Sequence, residues 1–370
     1  GAVVASSDAD TFLVSRDHYM YLWPRDGAMV AHALDLAGYA EETRKFYKFC
    51  AGLLADDGYF LQRYNPDGRP GCTWHPWLMH GRPCPPIQED ETALVIWALG
   101  EHFRLFNDVD FIASVFPELV KPAVSFMIGY IDDRTRLPLP SWDLWEERWG
   151  VFAFTSGAVY GALAAGARMA EVLGDGELAQ RCYTICAMLR EGITRHLYQE
   201  NLARFIRGFM VDEKGDYHPD LTLDSSVYGL HAFGAFDSHH EPLVRTMEIV
   251  KNGLWVKTGI GGMARYTNDY YHQVSDNIAE VPGNPWIVTT LWLADWYIDR
   301  AARREELEPA RQLIDWAAQR SSRSGAMPEQ VHPFTGQPLS VVPLTWSHSS
   351  FVRTVLAYLE KMKQLDKTLH

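Results

Sequence analysis

The segment Ser141–Gly150 places three tryptophans and three acidic residues within ten positions, just before an apolar stretch. Indole rings can stack on sugars or on cations. A carboxyl group between such rings is partly removed from water, which raises its pKa and lets it hold a proton near neutral pH. This combination is typical of sites that cleave glycosidic bonds. The alternative is a tryptophan-rich corner of the core with a solvated acidic edge, and this segment alone would favour that alternative.

Four further regions combine aromatic rings with charged groups. They are Tyr19–Asp26; Cys72–Trp77 with Ile87–Thr92; Arg265–Tyr266 with Gly283–Trp286; and Met327–Gln330 with Pro343–His348. The adjacent Arg25 and Asp26 can bind sugar hydroxyls as donor and acceptor, or they can form a simple ion pair at a helix N-terminus. Glu329 lies in a loop rich in Pro, Val and Gly, and by itself it would be read as a surface charge. The recurrence of the pattern favours one shared site.

The elements that must position these segments are helices arranged in pairs. One helix of each pair starts from a motif, near Pro24, Glu89, Thr155, Asp224, Pro285 and Trp346. Amphipathic stretches lie between them, at about Glu41–Ala55, Asp110–Ile131, Asp175–His196, Ser238–Lys251 and Glu305–Gln319. The motif-led helices are apolar on nearly every face, which predicts burial, whereas the others carry one polar stripe. The sequence therefore predicts an all-α fold, an (α/α)6 toroid with an inner ring of helices inside an outer ring.

From six inner and five outer helices we expect the first outer helix to be missing, and a preceding segment or a partner chain to complete the barrel. No linker interrupts the pattern, so we expect a single (α/α)6 catalytic domain over residues 1–370. In such a barrel the loops that enter the inner helices share one rim. The motifs are then expected to converge on one site although they are far apart in sequence.

Composition argues against several other classes of function. The chain has 370 residues, 47% of them hydrophobic, which is enough for a large core. Its net charge of −13 argues against nucleic acid or an anionic membrane as a partner. No apolar run is expected to reach the length of a membrane span. A neutral small-molecule substrate is compatible with all of these features.

The cysteines and acidic loops indicate neither a disulfide framework nor a metal site. Five cysteines are an odd number without zinc-ligand spacing, which leans toward the cytoplasm and leaves secretion open. Cys72 and Cys84 flank a loop and could pair. A calcium site at Asp212, Glu213 and Asp216 is the less favoured alternative to a solvated loop. We therefore expect no cofactor and no metal.

In order and spacing, the segments resemble those of the catalytic domain of glycoside hydrolase family fifteen, the glucoamylase family, from about Val3 to about Leu359. The matching segments are WPRD, IQEDETA, SWDLWEE, ARY, GNPW, PEQ and LTWS. The resemblance implies an (α/α)6 barrel and an inverting, exo-acting hydrolase that releases β-glucose from the non-reducing end of α-glucans or malto-oligosaccharides. Prokaryotic members usually carry an N-terminal β-sandwich domain, which is absent from these 370 residues.

The resemblance also assigns roles to individual residues. Glu146 is expected to be the general acid and Glu329 the general base, with their carboxyl groups roughly 6.5–9.5 Å apart. Arg25 and Asp26 are expected to hold the terminal glucose. The residues expected to line the sugar sites, or to form their supporting walls, are Trp145, Glu147, Arg265, Tyr21, Trp23 and Trp286.

Other activities remain open at this point. A glucodextranase that prefers α-1,6 links shares the same motifs, whereas the WPRD segment argues against a trehalase-type enzyme. A non-catalytic sugar-binding or regulatory domain would not need both Glu146 and Glu329. A phosphorylase would need a phosphate site in place of Glu329.

Overall fold

The structure is a computed structural model and describes residues 1–8, 18–79 and 81–367. These residues form two compact units, each mainly helical. Unit 1 comprises the described residues of Gly1–Val4, Tyr21–Leu221 and Gly229–Phe236. Unit 2 comprises the described residues of Ala5–Met20, Thr222–Tyr228 and Asp237–His370.

Helices are the main regular secondary structure of both units. Unit 1 contains α1 (Pro24–Leu36), α2 (Ala40–Ala51), α3 (Glu89–Phe106), α4 (Val109–Val115), α5 (Lys121–Gly129), α6 (Ala153–Val172), α7 (Gly176–Gly192) and α8 (Gly229–Ala232). Unit 2 contains α9 (Glu241–Leu254), α10 (Ile287–Arg300), α11 (Glu308–Gln319) and α12 (Thr345–Lys367). Shorter helical turns are Phe116–Val120 and Ile193–Leu197, which are π-helical, and Glu200–Leu202, Ser225–Tyr228 and Arg304–Leu307, which are 3₁₀.

The helices begin where the sequence supplies start signals. Helix α1 has Pro24 in its first turn, where a missing N–H costs nothing, and Asp26 beside it. Helix α3 opens with three acidic residues, which the positive end of the helix dipole stabilises. Asp175 caps α7, because its side chain accepts a hydrogen bond from Leu178 N at 3.2 Å. These starts lie at or near the predicted positions.

The two kinds of helix differ in burial as expected. In unit 1, 13 of the 18 residues of α3 are buried, against 6 of the 17 residues of α7. In unit 2, 11 of the 14 residues of α10 are buried, against 4 of the 12 residues of α11. Helices α3 and α6 pack closely at Gly100, where a Cβ would lie 2.4 Å from Ala165 Cβ. The motif-led helices therefore form the interior of each unit.

The helix expected near Asp224 differs from the expectation. The chain there forms a 3₁₀ turn, Ser225–Tyr228, followed by the single turn of α8. Gly229 packs so closely against Phe154 that a Cβ would lie 2.7 Å from the ring. Gly234, with a φ of 81°, then turns the chain out of the helical path. Propensity and capping signals predict where this segment starts, but glycine packing keeps it short.

A small antiparallel sheet supports the most informative sequence segment. It consists of β3 (Ser141–Trp142), β4 (Trp149–Phe152), β7 (Gly208–Val211) and β8 (Tyr217–Asp220), which are neighbours in that order, and it belongs to unit 1. Strand β3 pairs with β4 in the register Ser141↔Gly150 and Trp142↔Trp149, so residues 143–148 form the connecting loop. The remaining strands form two-residue hairpins: β1 (Leu78–Met79) with β2 (Arg82–Pro83), β5 (Tyr198–Gln199) with β6 (Arg204–Phe205), and β9 (Gln330–Val331) with β10 (Pro338–Leu339).

One helical segment is more apolar than the sequence reading expected. Val109–Gly129 spans 21 residues and contains an 18-residue window with a mean hydropathy of 1.5, which meets the length and composition of a membrane span. Half of that apolar window is buried inside the unit. A core helix meets the same criteria, so this single segment is weak support for a membrane location.

Candidate active site

The loop between β3 and β4 is a tightly bonded turn. Glu146 N donates to Asp143 O at 2.9 Å, and Asp143 N donates to Arg148 O at 2.8 Å. The Asp143 carboxylate accepts the backbone N–H groups of Glu147 and Arg148 at 2.7 and 2.8 Å. Within this turn Glu146 adopts a φ of 65°, the left-handed conformation that residues with a side chain rarely take. The loop therefore fixes the backbone of the predicted general acid.

Buried side chains outside the loop hold Asp143 in place. Its second carboxylate oxygen lies 3.4 Å from Arg207 Nη2, and both side chains are almost completely buried. Arg207 also lies 3.6 Å from Asp220. Gln88 Nε2 donates to the Asp143 carbonyl oxygen at 2.6 Å. Arg207 and Asp220 were not predicted from the sequence as part of the site, whereas Gln88 belongs to the predicted segment Ile87–Thr92.

Both carboxyl oxygens of Glu146 have hydrogen-bond donors. Arg25 Nη2 lies 3.2 Å from Oε1, and Gln62 Nε2 donates to Oε2. The side chain is only 13% exposed. Burial raises the pKa of Glu146, while the positive charges of Arg25 and Arg63 and the Gln62 hydrogen bond act in the opposite direction. The result is a carboxyl group that holds its proton at higher pH than an ordinary glutamate, as general acid catalysis requires.

Arg25 is the centre of an acidic cluster. Its guanidinium lies 3.4 Å from Asp26, 3.2 Å from Asp90, 3.0 Å from Glu91 and 3.2 Å from Glu146. Burial would lower the pKa of Arg25, but these carboxylates outweigh it and raise the pKa well above its usual value. Burial also raises the pKa of Asp26 to about 6, against the opposing charge of Arg25.

The predicted Arg25–Asp26 ion pair is therefore present, but it belongs to a larger network. Burial raises the pKa of Glu91 well above its usual value and raises that of Asp90, in each case against the charge of Arg25. Several buried acids around one guanidinium favour retention of protons near neutral pH. Such a cluster can offer both donors and acceptors to sugar hydroxyls.

Aromatic rings surround a second arginine beside this cluster. The Arg63 guanidinium lies 4.3 Å from the ring centroid of Tyr21, 5.1 Å from that of Trp23 and 4.5 Å from that of Trp74. Tyr21 and Trp23 are buried, and their rings pack edge to face with centroids 6.1 Å apart. Tyr21 and Trp23, which were predicted to support the sugar sites, therefore pack around the Arg63 guanidinium, which was not predicted.

Arg63 and its neighbour Gln62 left one signal in the sequence. They form a polar pair between aromatic residues in the stretch Tyr59–Tyr64, and both are almost fully buried. This is the same arrangement of polar residues among rings that marks Arg25 and Asp26. The same pattern therefore marks Gln62 and Arg63 as candidate site residues.

Trp145 and Glu147 flank the candidate acid. Trp145 is buried, at 8% exposure. Glu147 pairs with Arg148 at 2.9 Å and has a side chain only 10% exposed. Unit 1 thus brings together the predicted residues Tyr21, Trp23, Arg25, Asp26, Trp145, Glu146 and Glu147.

The other predicted residues lie together in unit 2. Arg265 pairs through two nitrogens with Asp269, each at 2.7 Å, and its guanidinium lies 4.7 Å from the centroid of Trp286. Trp286 pairs with Gln330 in a β-bridge, and Ile287 N donates to Glu329 O at 3.3 Å. Glu329 is buried rather than a surface charge. Asp269, which orients Arg265, was not predicted.

An aromatic hydroxyl lies in the electrostatic environment of Glu329. Burial raises the pKa of Tyr271, and the Glu329 charge adds to the effect. The Tyr271 ring also lies 5.3 Å from the Arg265 guanidinium. Arg265, Trp286, Tyr271 and Glu329 therefore form one aromatic and charged cluster within unit 2.

The described residues contain no group of three His, Cys, Asp or Glu side chains arranged to hold a metal ion. Asp212, one of the candidate calcium ligands, instead accepts the N–H groups of Lys214 and Asp216 and lies 2.9 Å from His218 Nε2. All five cysteines are free thiols, so the possible Cys72–Cys84 disulfide is not formed.

Known proteins of similar sequence are glycoside hydrolases. The sequence profile of the Glycosyl hydrolases family 15 matches residues 1–356. An uncharacterized glycosyl hydrolase of Methanocaldococcus jannaschii is 30% identical over 345 residues, covering 90% of this chain and 50% of that protein. A glucoamylase of Clostridium sp. is 24% identical over 353 residues, covering 90% of this chain and 46% of that protein. The chain thus spans about half the length of these relatives.

Among solved structures, a bacterial glucoamylase complexed with acarbose superimposes with a TM-score of 0.75 at 23% identity, covering 93% of this chain and 49% of that one. This likeness shows the fold: the chain has the all-α, (α/α)6 fold of the glucoamylases, as predicted. Fold and sequence together define a glycoside-hydrolase domain. The chain belongs to the Glycosyl hydrolases family 15.

Proposed function

We propose that this chain is the catalytic part of an inverting, exo-acting α-glucoside hydrolase that releases β-glucose from the non-reducing end of α-glucans. Membership of the family supports the reaction class. The observation that carries the proposal is the state of Glu146, whose buried carboxyl group has a raised pKa and lies against Arg25. A carboxylic acid that keeps its proton is what cleavage of a glycosidic bond requires.

In this mechanism Glu146 donates its proton to the glycosidic oxygen as the bond from that oxygen to the anomeric carbon breaks. Glu329 takes a proton from a water molecule, whose oxygen attacks the anomeric carbon from the opposite ring face. The released sugar then has the β configuration. Glu146 is left ionised and Glu329 protonated, and exchange with solvent restores both. Inversion by this route requires carboxyl groups roughly 6.5–9.5 Å apart.

The remaining predicted residues bind the sugar in this proposal. Arg25 and Asp26 hold the terminal glucose, since a guanidinium donates to hydroxyls and a carboxyl group accepts from them. Trp145, Glu147 and Arg265 line the sugar sites. Tyr21, Trp23 and Trp286 support them.

Linkage preference is the finer part of the proposal. Hydrolysis of α-1,4 links is supported by the glucoamylases of similar sequence and fold, one of which was solved in complex with acarbose. Glucodextranase-type and trehalase-type activities use the same chemistry on other links. A non-catalytic sugar-binding domain would bind malto-oligosaccharides without cleaving them.

The test is glucose release from maltotriose, with the anomeric form of the product followed by proton NMR. Early β-glucose is expected. Early α-glucose would contradict inversion, and binding without release would indicate a binding domain. Isomaltotriose and trehalose, assayed in parallel, report the linkage preference.

A further inference from the structure

Two side chains of the Cys72–Trp77 segment, to which the sequence assigned no individual role, hold the backbone of Glu146. Its carbonyl oxygen accepts a hydrogen bond from Trp74 Nε1 at 3.2 Å and lies 3.0 Å from His75 Nε2. Both donors come from adjacent residues of one loop in unit 1. The carbonyl belongs to the residue with the left-handed φ of 65°, a conformation that needs support from its surroundings.

His75 is itself fixed in position. Its ring stacks on Trp142 with centroids 4.2 Å apart and an angle of 2° between the planes. His75 N donates to Thr73 Oγ1 at 3.0 Å. The residue is 3% exposed, and burial lowers the pKa of its imidazole to about 4. The ring is therefore neutral near pH 7 and carries one N–H, which the carbonyl places on Nε2.

The same loop also reaches the carboxyl end of Glu146. Thr73 Oγ1 donates to Gln62 Oε1, and Gln62 Nε2 donates to Glu146 Oε2. The amide of Gln62 is thereby oriented with its N–H₂ toward the carboxyl group. Residues 73–75 thus constrain Glu146 at its carbonyl and, through Gln62, at its side chain.

We propose that His75 and Trp74 are positioning residues for Glu146: by holding its peptide in the left-handed conformation, they set the direction from which its proton reaches the leaving oxygen. The inference rests on the proposed function, because it gives Glu146 the role of general acid. His75 and Trp74 act through Glu146 and do not themselves take part in proton transfer. The loss of either donor should therefore weaken acid catalysis more than substrate binding.

The test compares His75→Phe and Trp74→Phe with the unchanged chain on two substrates. Phenylalanine keeps a ring at each position and removes the N–H donor. Maltotriose has a poor leaving group that needs the acid, whereas α-glucosyl fluoride loses fluoride with little need for protonation. We expect kcat on maltotriose to fall by about tenfold or more in His75→Phe, a fraction of what a general acid contributes, and kcat on α-glucosyl fluoride to change little. KM should stay similar on both.

Two further variants sharpen the comparison. His75→Gln restores an N–H donor at a similar reach and should recover part of the lost rate on maltotriose. Tyr39→Phe changes an exposed ring between α1 and α2, outside the segments of the candidate site, so it should match the unchanged chain. Thermal unfolding establishes that each variant is folded. If His75→Phe does not fold, the exposed position of Trp74 keeps the test available through Trp74→Phe.

Equal losses on both substrates would show a structural role and overturn the inference. Unchanged kinetics in both phenylalanine variants would overturn it as well, while β-glucose release by the unchanged chain would leave the proposed function standing. If the unchanged chain hydrolyses neither substrate, the proposed function fails and the inference fails with it.

Discussion

Arg25 Nη2 lies 3.2 Å from Glu146 Oε1, which joins two residues that are 121 positions apart in sequence. One belongs to the first turn of α1 and the other to the loop between β3 and β4. The contact brings the WPRD and SWDLWEE segments into one cluster within unit 1. It also sets an electrostatic balance on Glu146, because burial favours the neutral carboxylic acid and the guanidinium favours the carboxylate.

Glu146→Gln should remove most of the turnover and keep sugar binding. The amide preserves the shape of the side chain and can still accept a hydrogen bond from Arg25, but it cannot donate the catalytic proton. A general acid contributes about 10²–10⁴-fold, so kcat on maltotriose should fall by that order. The measurements are initial rates and the affinity for maltotriose by calorimetry. Glu248→Gln, at an exposed position of α9, is the matched control. An undiminished rate in Glu146→Gln would remove the residue from its proposed role.

Arg63→Met should shift the basic limb of the pH profile of kcat/KM to higher pH. Burial raises the pKa of Glu146, and the positive charge of Arg63 partly offsets that effect. Without Arg63 the pKa rises further, so Glu146 keeps its proton, and the enzyme its activity, to higher pH. The measurement is kcat/KM on maltotriose as a function of pH. Arg69→Met is the control, because Arg69 is exposed and pairs with Asp67. A shift of the basic limb to lower pH would contradict this reading of the charges.

Replacement of Glu146 by glycine or alanine should separate function from strain. Both variants lose the carboxyl group and should be equally inactive. Glycine adopts the φ of 65° without the steric cost that a Cβ brings, about 1–2 kcal/mol. We therefore expect Glu146→Gly to unfold at a higher urea concentration than Glu146→Ala, by about 1 kcal/mol in the free energy of unfolding. Equal stability of the two variants would mean that the left-handed conformation stores no strain.

Local signals in the sequence predicted much of the fold. Pro24 and the acids at Glu89–Glu91 mark helix starts through physics that acts within one turn, and α1 and α3 begin there. The segment near Asp224 carries similar signals but forms only short turns. Its length depends on the packing of Gly229 against Phe154, which is a tertiary contact. Periodicity and capping do not report such contacts.

The same distinction applies to the candidate site. Arg25, Asp26 and Glu146 stand in motifs dense with rings and charges, and the structure places them in one cluster. Gln62 contacts Glu146 because the chain folds back on itself, and no local pattern links the two positions. The left-handed backbone conformation of Glu146 could not be predicted either, because the neighbouring residue types do not specify it. The roles of Glu146 and Glu329 in catalysis stay predictions.

Glu89→Leu should stabilise the protein at neutral pH. Glu89 is 1% exposed, and both of its carboxyl oxygens are buried without a hydrogen-bond partner among the described residues. Burial, with the nearby Asp90 charge, raises its pKa well above the usual value. An unpaired buried polar group costs about 1–3 kcal/mol, so the free energy of unfolding should rise by that order when leucine replaces it. Urea unfolding at pH 7 measures the change.

The free energy of unfolding should also depend on pH through Glu89. A carboxyl group whose pKa is raised by folding binds more protons in the folded state, so its contribution to stability falls as pH rises from the unfolded value of about 4.3 toward the raised one. The stability difference between Glu89→Leu and the unchanged chain should therefore grow from pH 5 to pH 8. Glu89→Gln is the matched control, because it abolishes the titration but keeps a buried polar group. Glu89→Gln should reduce the pH dependence of the free energy of unfolding as much as Glu89→Leu does. It should gain less stability than Glu89→Leu at pH 7. A constant difference across this range would mean that Glu89 does not change its protonation on folding.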